Sequence, residues 1–228
     1  MRFTRCLLIT VALSTASTAQ PVVEVFIPPV TATNMNTPLL RAKMIVAEIY
    51  STIGVRVVWS SAHSAPSGCE KNPLHGKIVV AFRTGASAGR SDAALAFSNP
   101  YSHEGPCVTV LMDRLKPEGE KNMLRVGFVL GHVLAHEIGH VLEGVPRHSE
   151  TGLMKARWSD RETMNMPQQT LRFTAYDAEL VLKGLAFPSI LRAGEKGNKF
   201  PTAPNDASIL VRQPVSGEEV ALIRETRR

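Results

Sequence analysis

The chain has 228 residues, 44% of them apolar and 20% charged, which is enough for one globular domain with a substantial core and unlike a disordered segment. Its 16 Gly and 15 Pro follow no fixed period, which excludes a collagen-like array, and there is no repeat of solenoid or propeller spacing. The formal charge of +6 is mild and no Lys/Arg cluster is interleaved with aromatics, so nothing argues for nucleic acid as a partner.

Arg2 and Arg5 flank the start of an apolar run over 6–13, and small residues including Ser17 and Ala19 follow it. This is the pattern of a cleaved secretory signal over 1–19, because the run is well short of the ~20 residues that a spanning helix requires. The expectation is a secreted protein, extracellular or periplasmic, with no membrane attachment after processing. Loss of the signal lowers the charge from +6 to +4 and leaves Cys69 and Cys107. An oxidising compartment joins two such thiols most simply as one disulfide, worth roughly 3–4 kcal/mol.

Residues 22–27 (VVEVFI) read as a first strand, stopped by Pro28 and Pro29. Thr37 caps an expected helix whose first residue is Pro38 and whose apolar face runs through Leu40, Ile45, Ile49 and Ile53 to Gly54. Strands follow at 55–59 and 78–82, the second wholly apolar and therefore central, with a Ser/Pro/His-rich loop between them. A short strand is expected at 95–97 and a better one at 107–112 (CVTVLM).

The longest helical segment is 122–143, ended by Gly144 and Pro146. It is apolar nearly all round and so must be buried, which means that its polar residues need a reason. A last amphipathic helix spans 174–185, with Asp177 and Glu179 on its solvated side. The domain is expected to occupy 20–185. Residues 186–228, rich in Pro, Gly and mixed charge, read as a loosely attached tail that can add one strand at 208–212 (SILVR).

Inside the buried helix lies His136-Glu137-Ile138-Gly139-His140, an HExxH pattern. Two imidazoles four residues apart share one helical face and can ligate one metal, with the glutamate beside the same opening. Zinc suits nitrogen ligands, and three protein ligands leave a fourth position for water, as a catalytic site requires. Water on such an ion has a pKa near about 7, and a nearby carboxylate can take its proton as it attacks a peptide carbonyl. Burying these polar side chains without partners would cost several kcal/mol, which favours a metal over two satisfied core histidines and a surface glutamate.

Gly144 permits a sharp turn, and His148 follows where a reversing chain can return to the metal. The stretch HEIGHVLEGVPRHSETGLM over 136–154 resembles the metzincin clan of zinc endopeptidases, and most closely its matrixin-type branch. In that branch HExxHxxGxxH is followed by Ser and shortly by the methionine of a tight Met-turn.

The resemblance implies an α/β (α+β) metzincin-like fold: a twisted, mostly parallel sheet, a buried active-site helix, a Met-turn and a C-terminal helix. It implies His136, His140 and His148 as ligands of one catalytic zinc ion, Glu137 as general base, Gly144 as the turning glycine and Met154 as the Met-turn residue. It also implies an edge strand that pairs with extended peptide or protein substrate; residues 108–112 fit that part and equally an ordinary sheet strand tied down by Cys107. A monomer is expected. This chain departs from the pattern by one residue before the glycine and one after it, reading HExxHxxxGxxxH.

Glu162 and Glu179 are the competing third ligands. His132, one turn before His136, is read as structural or as a support to the ligands. Histidines 63, 75 and 103 are read as loop residues, and Trp158 and Tyr176 either line the cleft or pack. The first strand begins almost at the expected cleavage site, so no inhibitory pro-segment is expected; the enzyme would be secreted active, or be held in check by the tail or another protein. The rival reading is a catalytically silent zinc-binding interaction module on the same fold.

Overall fold

Alternation of buried and exposed residues along VVEVF sets Val23 and Val25 into the core and forms the first strand, β1 (Val22–Phe26). A computed structural model of the chain describes residues 19–27, 35–60, 76–84, 94–100, 105–115 and 121–186, and the backbone of 208–211. The expected export signal up to Thr18 lies outside the described residues, as do Cys69 and histidines 63, 75 and 103.

Helix α1 (Asn36–Ser51) buries Ala42, Ile45, Val46, Ile49 and Tyr50. It starts before the expected cap: Met35 is the N-cap, without a side-chain hydrogen bond, and Thr37 lies inside the first turn. Strands β2 (Arg56–Ser60), β3 (Ile78–Arg83), β4 (Ala94–Asn99) and β5 (Cys107–Leu111) follow. Then come the short α2 (Met112–Leu115), the long α3 (Met123–Glu143), β6 (Arg157–Trp158), α4 (Asp160–Asn165), α5 (Ala175–Ala186) and β7 (Ser208–Val211).

The fold is mixed α/β. Its sheet has the order β2-β1-β3-β5-β4-β7-β6, and the first four of these strands run parallel. β4 lies antiparallel to β5, and β7 lies antiparallel to β4 and parallel to β6. The segment 108–112 is therefore not an edge: β5 is enclosed by β3 and β4 and all five of its residues are buried. A strand buried on both faces reads as a continuous apolar run, and CVTVL is one. β4 is the strand that lies beyond it, next to α3. Nor is the stretch after α5 wholly detached, since residues 208–211 are paired into the sheet between β4 and β6.

α1 and α3 pack on each other and share one core with β1, β2, β3, β4 and β5. Their approach is close because α3 presents glycine: a Cβ on Gly131 would stand 2.8 Å from Ile45 Cβ, nearer than real side chains pack. Tyr50 of α1 spans the same interface and donates its hydroxyl to the Ala135 carbonyl, 3.0 Å away. At the far end of α3, a Cβ on Gly184 of α5 would run into the Leu142 carbonyl oxygen. α3 is thus wedged between α1, α5 and the sheet, and no described helix is long and apolar enough to cross a membrane.

Candidate metal centre

Asn122 caps α3 by accepting from the Arg125 amide at 3.1 Å, and the helix then runs unbroken to Glu143. His132, His136, Glu137 and His140 are all fully or almost fully buried on it. The helix stops at Gly144, whose left-handed backbone (φ 65°, ψ 18°) lets its amide donate to the His140 carbonyl. That sharp exit returns the chain so that half-buried His148 faces the helix.

The three expected imidazoles meet. His140 Nε2 is 2.8 Å from His136 Nε2 and 3.3 Å from His148 Nε2, and one ring nitrogen of each lies within 4.8 Å of the others. Nitrogens at about 2.0–2.1 Å from a tetrahedral ion stand roughly 3.3 Å apart, so the His140 to His148 separation suits one small ion and the His136 to His140 separation is tighter. Of the two additional residues of the HExxHxxxGxxxH spacing, the one before Gly144 extends the last turn of α3 and the one after it lengthens the loop, and His148 still reaches the cluster.

The donor chemistry fits a metal. His136 Nδ1 is 2.8 Å from the Leu153 carbonyl, an acceptor, so this nitrogen carries the proton and the neutral ring presents an Nε2 lone pair to the cluster. Burial, with His140 close by, holds His136 well below the ordinary histidine range against the pull of the Leu153 carbonyl. Burial, then His148, brings His140 down to about 3. Neutral rings with converging lone pairs are what a divalent ion needs and what core packing alone would avoid.

The residues after His148 form the floor. Ser149 N–H donates to the Met154 carbonyl at 2.7 Å, closing a turn in which Gly152 has φ +77°. A side chain at Gly152 would meet the Arg172 carbonyl at 2.6 Å, so the turn is glycine-dependent for space as well as for φ. Met154 is fully buried with its sulfur under α3: a Cβ on Gly139 would be 2.9 Å from it. Leu153 ties the turn to His136, because its carbonyl accepts from both His136 and Trp158 Nε1. Trp158 packs rather than lines a cleft; it is fully buried, its ring 5.8 Å from that of His136.

His132 is structural. Its Nδ1 is 2.8 Å from the Phe128 carbonyl and its Nε2 accepts from the Leu171 amide at 3.0 Å, so both nitrogens are committed. Glu162 is committed too: it completes the capping box of α4 with Ser159 and pairs with Lys155 at 2.8 Å. Glu179 is exposed and pairs with Lys183 one turn on. Neither carboxylate joins the histidine cluster among the described residues.

Asp177 overturns the solvated reading of its helix, since it is fully buried. Its Oδ1 accepts from Arg147 Nη2 at 2.6 Å and Ser149 Oγ at 2.5 Å, the residues on either side of His148. Its Oδ2 accepts from the Thr174 amide at 3.0 Å and hydroxyl at 2.7 Å, and Thr174 Oγ1 in return accepts from the Asp177 amide. The arrangement is a capping box at the start of α5 turned to a second use. Thr-x-x-Asp before an apolar run was the signal for it in the sequence. Arg147 also lies over the ring of exposed Tyr176, 4.7 Å from its centroid.

Glu143, a turn beyond His140, is a buried carboxylate without a hydrogen-bond partner among the described residues. Burial, helped by the Asp177 charge and opposed by Arg147, pushes it up to about 8.

Because Asp177 fixes both neighbours of His148, Asp177→Ala is expected to weaken zinc binding about 10–100-fold. Competition with a chelating dye measures it. In a His148→Ala background the same change is expected to have no further effect; an equal loss there would show that Asp177 does not act through His148.

No family model and no curated protein matches this sequence. Among solved structures, the chain is similar to archaemetzincin from Methanopyrus kandleri, with 16% identity, a TM-score of 0.44, and coverage of 74% of this chain and 97% of that one. It is also similar to metalloproteinase-II from Bacteroides fragilis, with 13% identity, a TM-score of 0.38, and coverage of 75% of this chain and 55% of that one.

Proposed function

We propose that this chain is an exported, zinc-dependent endopeptidase in which His136, His140 and His148 hold one zinc ion and Glu137 is the general base. The observation that carries the reading is the convergence of three imidazole nitrogens, 2.8 and 3.3 Å apart in turn, on one point beside a fully buried glutamate. Three nitrogens and no fourth protein ligand among the described residues is the donor count of a catalytic zinc rather than a closed structural one. The order His148-Ser149, then Gly152-Leu153-Met154, is what favours the matrixin-type branch.

Zinc, when bound, supplies Lewis acidity to a water molecule and to a peptide carbonyl. The chain's own residues supply the rest. Leu153, through its carbonyl, orients the His136 ring and fixes its tautomer. Asp177 holds the His148 loop. Glu137 takes the proton of the attacking water and returns it to the leaving amine, a transfer worth about 10²–10⁴ in rate. Its burial keeps bulk water from competing for that proton.

The partner proposed is an extended peptide or protein, met by a monomer outside the cytoplasm, with no role for nucleic acid. What supports export is the signal pattern over 1–19, and what supports a Cys69 to Cys107 disulfide is the presence of two cysteines after processing, one of them buried on β5. The intact mass of exported protein checks both: it is expected to begin at Gln20 and to be two hydrogens lighter than the reduced chain. A mass that retains 1–19 or both thiols contradicts them.

Purified protein is expected to hold one equivalent of zinc and to cleave quenched peptides in a chelator-sensitive manner. Glu137→Gln is expected to lower kcat at least 100-fold, by the rate worth of its proton transfer, with zinc retained. If Glu137→Gln and the parent are equally inactive across a broad peptide library while both bind zinc, the silent interaction module is the correct reading.

A further inference from the structure

The sheet beside the metal centre is completed by residues that lie far along the chain. β4 pairs with β5 on one side and with β7 on the other, and among the described residues β6 pairs with β7 alone. Without Ser208–Val211, β4 and β6 would face each other across a gap one strand wide, each presenting unpaired backbone N–H and C=O groups.

That gap adjoins the histidines. β6 follows directly on the turn that carries Met154, which is joined at its base by the bridge between Ser149 and Lys155. Trp158 of β6 packs on the His136 ring, and its register partner on the other side is Val211. Leu210 is flanked by Ala94 of β4 and Arg157 of β6. Neighbouring strands lie about 4.8 Å apart, so the backbone at 210–211 passes one strand spacing from a residue in contact with a metal ligand. α3, which bears the HExxH residues, lies against both β4 and β7.

We infer that residues 208–211 of this chain, lying between β4 and β6, are a built-in competitor for the extended peptide that the resemblance already implies at a sheet edge. That the displacing peptide is then cleaved rests on the zinc-peptidase reading above; the occupancy itself does not. The occupant runs antiparallel to β4 and parallel to β6, so an incoming peptide takes the same direction. Strand addition works through main-chain hydrogen bonds and tolerates varied side chains.

Two features make the occupant displaceable. It is only four residues long, and its pairing with β4 shifts register between Ala94 and Phe97. Attachment through residues 187–207 nevertheless gives it an advantage that a free peptide matches only at a concentration on the order of millimolar.

Proline at position 210 removes a backbone donor from the middle of the pairing while leaving the rest of the full chain intact. The probe is a fluorescein-labelled peptide copying residues 206–213 (DASILVRQ), and the host is zinc-loaded Glu137→Gln protein, so that binding is read without turnover. The double variant Glu137→Gln/Leu210→Pro is expected to bind the probe at least tenfold more tightly than Glu137→Gln. Equal affinities, or no binding by either, overturn the proposal.

Hydrogen exchange on the unaltered full chain is a second measurement that needs no substitution. The amides of 208–211 are expected to exchange at least tenfold more slowly than in the free probe peptide; unprotected amides overturn the proposal. Tighter probe binding by the double variant, combined with no zinc-dependent cleavage by Leu210→Pro with Glu137 intact, leaves the built-in competitor standing and removes the peptidase reading.

Discussion

One constraint governs the structure: two imidazoles and a carboxylate sit on a stretch of helix, 130–143, in which every residue is buried. α3 is enclosed by α1, α5 and the sheet, and His136, Glu137 and His140 are buried on it. Buried imidazoles must be neutral, oriented and partnered, or the helix would lose several kcal/mol. The surroundings meet each requirement in turn. The Leu153 carbonyl orients His136, burial keeps His136 and His140 neutral, and the third histidine is delivered by a loop rather than by the helix.

The loop is the costlier part to build, because it has to place one side chain without regular secondary structure. It succeeds through two fixed ends. Gly144 ends α3 in the left-handed region, and the Ser149 amide closes on the Met154 carbonyl. Between them, Asp177 grips Arg147 and Ser149, so a carboxylate from the last helix immobilises both neighbours of His148. One extra residue of the spacing lengthens α3 and the other a loop that is pinned at several points, which is why His148 still reaches the cluster. Met154 and Trp158 then fill the space beneath, the one under Gly139 and the other against His136.

Much of this was legible from spacing. Each predicted helix has an observed counterpart because its apolar period and its Gly or Pro stops are local signals, and HExxH with a following Gly and His named the cluster. What escaped the sequence was non-local. Whether residues 107–111 are central or at an edge depends on where 94–99 pairs, and no local pattern states that pairing. Asp177 looked solvated because its helix is amphipathic, yet it buries itself by capping α5 while accepting from residues some thirty positions earlier. Residues 208–211 showed strand propensity, but the slot that receives them is made by β4 and β6, which only the fold brings together.

The central claim is that three imidazoles share one ion. Zinc-edge anomalous scattering from a crystal of the purified protein tests it most directly. The expected result is a single strong peak bonded to Nε2 of His136, His140 and His148 at about 2.0–2.1 Å. A zinc-loaded crystal whose anomalous peak lies on other side chains, or one in which His148 points away from the ion, would contradict it.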